Sequence, residues 1–81
     1  MVHVVEAHVE EGSTVWVRFS DGTEGRVDVS AELHGPVFEP LKDRTNFQAM
    51  VVDPELGTIV WPNGADFAPE FLYDRVRRAA A

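Results

Sequence analysis

The sequence predicts an α+β domain: an antiparallel β-meander of about five strands, short helical turns in the middle and one C-terminal α-helix. Three observations point there. Apolar and polar residues alternate in short runs separated by Gly, Pro, Asn and Asp turns. The segment from Ser30 to Phe47 lacks an apolar stripe long enough for an independent helix. After Pro69 the spacing becomes helical, with Phe71 or Leu72, Val76 and Ala79 or Ala80 along one stripe.

Val2 to Glu10 is the first strand, with imperfect alternation. Val2 and Val4 share one face while Val5, Ala7 and Val9 share the other, which predicts a bulge or a strand covered on both sides. Glu11-Gly12-Ser13 is a turn, and Thr14 to Ser20 alternates cleanly, with Val15, Val17 and Phe19 inward. Asp21-Gly22 predicts a hairpin, because Gly tolerates the positive φ that a tight turn demands. Thr23 to Val29 returns as the third strand. Ser30 is expected to cap a short turn that Gly35-Pro36 ends, and Val37, Phe38 and Leu41 are expected to anchor the connection. Asp43 is expected to cap a second turn through Phe47. Gln48 to Asp53 and Thr58 to Trp61 are the last strands, joined by Pro54-Glu55-Leu56-Gly57. Pro69 suits a first helical position, where its missing N–H leaves no bond unmade.

Eighty-one residues fit one domain over residues 1–81. A chain this short buries only roughly 60–65% of its unfolded surface, so small domains lean on disulfides, metals or partners. With no cysteine, disulfides and thiolate zinc sites are excluded, and dimerisation or docking is the expected support. Met1-Val-His-Val-Val-Glu lacks the pattern of a signal peptide. No apolar run approaches the ~20 residues of a membrane span. A cytoplasmic protein without membrane contact is expected. Fourteen acidic residues against 7 basic give a formal charge of −7. That sign opposes direct nucleic-acid binding and favours a basic protein partner.

His3 and His8 stand five apart on a strand, which sets them on opposite faces, and His34 is alone beside a Gly-Pro turn. No metal site, cofactor or catalytic group is expected. Ser13, Ser20 and Ser30 sit in turns or at a cap, where their hydroxyls have backbone duties. The corner Trp61-Pro-Asn-Gly-Ala-Asp66 is the stronger candidate. Its simplest account is structural: Trp61 gives core area, Asn63-Gly64 the turn, and Asp66 and Glu70 serve the start of the helix. Its functional account places the indole and the two carboxylates around a small cleft that takes a cationic side chain. Trp16 and Arg18 share the non-core face of the second strand, and an exposed tryptophan there marks an interface unless the helix covers it. Trp16, Arg18, Trp61, Asn63, Asp66 and Glu70 are therefore the expected partner-binding residues. Arg75, Arg77 and Arg78 suit a helix C-terminus.

Three strings carry a family resemblance: Val17-Arg-Phe-Ser-Asp-Gly-Thr-Glu-Gly-Arg-Val-Asp-Val-Ser30, Gly35-Pro-Val-Phe-Glu-Pro-Leu-Lys-Asp43, and Asp53-Pro-Glu-Leu-Gly-Thr-Ile-Val-Trp-Pro-Asn-Gly-Ala-Asp66 with Leu72-Tyr73. Together they closely resemble the bacterial domain-of-unknown-function family 2442, over about residues 14 to 75. The resemblance implies a small α+β domain without established enzymatic activity or agreed catalytic residues. It also implies an antitoxin-like role, because genes of this family commonly lie beside a small family resembling ribonuclease-type toxins. Some relatives add a helix-turn-helix domain. This chain ends at Ala81, too early for one, so DNA-binding autoregulation is expected to need another protein. The leading expectation is a non-catalytic interaction module for a small basic protein encoded nearby. The alternatives are a small-molecule-binding or enzymatic domain at the Trp61–Asp66 corner, and a homodimer paired through an edge strand.

Overall fold

In a computed structural model that describes residues 1–80, β1 (Val4–Val9), β2 (Thr14–Phe19) and β3 (Glu24–Asp28) form an antiparallel sheet in the order β1-β2-β3. β2 alternates as its sequence requires: Val15, Val17 and Phe19 are buried, while Thr14, Trp16 and Arg18 lie on the other face. β1 carries the bulge. Val4 pairs with Phe19 and Glu6 with Arg18, so Val5 is the extra residue and is left exposed. Beyond it Ala7 and Val9 return to the core side beside Val4. The hairpin between β2 and β3 turns at Gly22, whose φ is 89° and whose N–H donates to the Phe19 carbonyl at 2.9 Å.

The connection is a chain of short turns. A 3-10 turn over Ser30–Glu32 leads to α1 (Gly35–Phe38), a second 3-10 turn over Glu39–Lys42, and α2 (Arg44–Phe47). Ser30 does not cap the first turn. Val29 takes that place, and the Asp28 carboxylate accepts the Ser30 N–H at 2.9 Å instead. Asp43 does cap α2, accepting from the N–H groups of Thr45 and Asn46. Leu41 and Phe47 point into the core and Phe38 packs on it, whereas Val37 is exposed. Arg44 ties the connection to the first hairpin by donating to the carbonyls of Glu10 and Gly12.

β4 (Val51–Asp53) and β5 (Thr58–Val60) pair antiparallel as a separate two-stranded sheet. All five strands are present and antiparallel, divided three and two. β4 starts later than alternation suggests because the turn after α2, closed by Met50 N–H on the Phe47 carbonyl, takes up Gln48 to Met50. β1 lies alongside this pair, and the Val4 N–H donates to the Gly57 carbonyl at 2.8 Å.

α3 (Pro69–Ala80) buries Leu72 and Val76 against the inner face of the first sheet. Its approach is set at Gly25 of β3. A Cβ there would stand 2.9 Å from a Val76 methyl, so only glycine permits this spacing. A second tie joins helix to hairpin, since Tyr73 donates its hydroxyl to Asp21 at 2.7 Å and packs edge-on against Phe19. The buried apolar residues form one cluster, and Thr58 is buried too, donating to the Phe67 carbonyl.

Candidate interaction surface

α3 packs on the inner face of the first sheet, and on the sheet's outer face His8, Glu24, Arg26 and Asp28 are exposed while Glu6, Trp16 and Arg18 are half-buried. Cross-strand register then decides which side chains meet there. Glu6 and His8 of β1 stand opposite Arg18 and Trp16 of β2, and Trp16 and Arg18 stand opposite Arg26 and Glu24 of β3. The His8 ring stacks on the Trp16 indole, with centroids 5.2 Å apart and planes 16° from parallel. Glu6 joins the two strands, accepting from Arg18 at 2.6 Å and lying 3.1 Å from His8. The Arg18 hydrogen bond, followed by that of His8, holds the Glu6 carboxyl below its ordinary value. Arg26 pairs with Glu10 at the other end of the face. Trp16 is thereby half-buried by its neighbours, with one ring face taken by His8.

The Trp61 corner is built differently. Trp61 is 2% exposed, and its indole N–H donates to the Phe47 carbonyl at 2.8 Å, so the ring is a core member tied to α2. The rings of Phe47 and Phe67 pack on it. Pro62-Asn63-Gly64 forms the turn, with the Trp61 N–H on the Ala65 carbonyl and Gly64 at φ 91°. The Asn63 side chain is occupied on both sides: its oxygen accepts the Ala65 N–H, and its amide donates to the Val37 carbonyl.

Asp66 does not serve the helix. Its side chain is exposed without a hydrogen bond among the described residues, and its backbone forms a single bridge to Val60. That bridge extends β5, which fixes Asp66 in a strand-like position two residues ahead of Ala68. The Ala68 carbonyl accepts the first N–H bonds of α3, from Phe71 and Leu72. Glu70 lies in the first helical turn, as the dipole favours, and is exposed.

A half-open cleft of about 190 Å³ adjoins Trp61, lined by Pro40, Leu41, Asn46, Ala49, Pro62 and Asn63. Neither expected carboxylate lines it. Glu70 borders another depression, with Met1, Val2, Tyr73, Asp74 and Arg77, and Asp66 borders neither. The six expected partner-binding residues therefore divide. Trp16 and Arg18 share the outer sheet face, Trp61 and Asn63 share the cleft, and Asp66 and Glu70 stand apart.

The basic residues of α3 are engaged at its surface. Arg75 covers the Phe71 ring and reaches Glu32, Arg77 lies over Tyr73, and Arg78 pairs with Asp74. The bulge in β1 breaks the odd-even count that set His3 and His8 on opposite faces. Among the described residues no three His, Asp or Glu side chains gather as a metal site, and no helix is long and apolar enough to cross a membrane.

Sequence reasoning named Trp16 and Arg18 but missed His8 and Glu6 as their partners. The signal was present, since a two-residue interval on β1 mirrors the one on β2, but its use required the bulge-corrected register.

Among protein families, the one described as "Protein of unknown function (DUF2442)" matches residues 4–78. No curated protein and no solved structure matches the chain.

Proposed function

We propose, on the premise that this chain belongs to the DUF2442 family of unknown function, that it is a non-catalytic protein-interaction module working in the cytoplasm as the antitoxin-like partner of a small basic protein encoded nearby. The observation that carries this reading is the uncovered outer face of the first sheet, where a half-buried tryptophan is framed by charged side chains. Large aromatic rings ringed by polar groups are the usual anchors of protein interfaces. The formal charge of −7 adds attraction toward a basic partner during encounter.

Co-expression with the product of the adjacent gene tests the proposal. The two proteins should co-purify, and Trp16→Ala should weaken the complex by about tenfold or more, as loss of an aromatic anchor does. The melting temperature of the free variant should stay near that of the wild type. Clean separation of the two wild-type proteins would sink the reading.

The cleft beside Trp61 favours a second reading, in which a small apolar molecule docks on its Pro, Leu and Ala walls. Filling the cleft by Ala49→Leu should abolish any amide shifts that a panel of monocyclic fragments induces at Ala49 and Asn63. If the fragments induce none in the wild type, this second reading is withdrawn.

A further inference from the structure

β3 is the outer strand of its sheet, and the phase of its hydrogen bonds shows which of its backbone groups are free. The Val29 N–H donates to the Ser13 carbonyl, and the Phe19 N–H to the Thr23 carbonyl. In the same register Val15 faces Val27 and Val17 faces Gly25. Odd-numbered residues of β3 therefore turn their N–H and C=O groups toward β2, and Glu24, Arg26 and Asp28 turn theirs outward. The side chains of those three residues are all exposed. From below, Val76 of α3 presses against Gly25 and holds the strand in place.

The charges along this edge run negative, positive, negative. A second copy pairing in the longest antiparallel register would set Arg26 against Arg26 and Glu24 against Asp28. Like charges directly opposite one another oppose pairing. Registers shifted by two residues restore opposite signs but shorten the ladder, because Asp28 is the last residue of β3. Charges of this kind guard an edge against its own copies. The same pattern is complementary to a strand running positive, negative, positive.

We propose that the free edge of β3 takes an extended segment of the basic partner as an added strand, with cationic side chains opposite Glu24 and Asp28 and an acidic one opposite Arg26. Backbone hydrogen bonds supply the attachment, and the three cross-strand pairs supply the selectivity. This inference rests on the interaction-module reading for the identity of its partner, but not for its test.

Two synthetic peptides provide the probe: Thr-Lys-Val-Glu-Val-Lys-Thr and its charge-inverted counterpart Thr-Glu-Val-Lys-Val-Glu-Thr. At millimolar concentration the first should shift the amide resonances of Glu24, Arg26 and Asp28 in isotope-labelled protein. The second should bind about tenfold more weakly. In the triple variant Glu24→Lys/Arg26→Glu/Asp28→Lys the preference should reverse. Equal binding of both peptides, shifts confined to other strands, or no shift with either peptide overturns the proposal. Co-purification separates the two readings. If the adjacent gene product binds wild type and variant alike, the edge is not its site although the module reading stands. If it binds neither, the module reading falls and the peptides still judge the edge.

Discussion

Trp61 is fixed by its ring and by its N–H at once, and the two contributions can be separated. Trp61→Phe keeps an aromatic ring but removes the donor to the Phe47 carbonyl and leaves unfilled volume. A loss of about 2–4 kcal/mol is expected from the lost hydrogen bond and the packing defect together, read from the denaturant midpoint. Tyr73 makes a different kind of bond. Its hydroxyl, then the Thr23 N–H, holds Asp21 below the ordinary value of 3.8. A carboxyl depressed in the folded state adds stability above its unfolded value and loses it as pH falls through the folded one. Tyr73→Phe should therefore melt below the wild type at about pH 7, and the gap should narrow as pH falls below 3.8. A gap unchanged down to about pH 2 would contradict this assignment. At this scale the sequence shows that Trp61 is apolar bulk beside a turn. It does not show that Asp66 is drawn into a bridge with Val60, since that depends on where β5 ends.

Among the elements, β1 makes the sharpest test. Deleting Val5 would remove the extra residue and leave Val4, Ala7 and Val9 inward with Glu6 and His8 outward, the faces they already occupy. The change should cost within about 1 kcal/mol. Deleting Ala7 instead straightens the strand with Glu6 on the core side, which should cost about 3 kcal/mol or more through a carboxylate taken from water. Comparable thermal melts of the two deletions would show that the register is not set by the bulge. The clash of Val4 and Val5 with simple alternation made this bulge legible. The division of five strands into two sheets was not, because alternation reports which face is buried and is silent about neighbours. The middle turns were legible where a side chain caps them, as at Asp43, and misread at Ser30, where the preceding Asp28 carboxylate takes over.

Across the whole molecule, charge is the property most readily tested. The chain carries −7, and its outer sheet face pairs its two arginines with Glu6 and Glu10, leaving the carboxylates of Glu24 and Asp28 outside any ion pair among the described residues. Association with a basic partner should slow by on the order of tenfold as ionic strength rises from about 0.02 to about 0.2 M, while dissociation changes less. Stopped-flow rates at several salt concentrations measure this, and a flat profile would remove charge from the account of encounter. The acidic balance and the small core were readable from composition. Which face stays open was not, because it depends on the side from which α3 meets Gly25.

The two tryptophans differ in one further respect. Trp61 lies in the core with its N–H bonded, and Trp16 lies on the surface against an imidazole. Their emission should accordingly differ in colour and in response to quenchers. The buried indole reports unfolding, and the surface indole, stacked on His8, reports whatever settles on that face. Single-tryptophan versions of the protein would thus follow folding and docking separately, without an added dye.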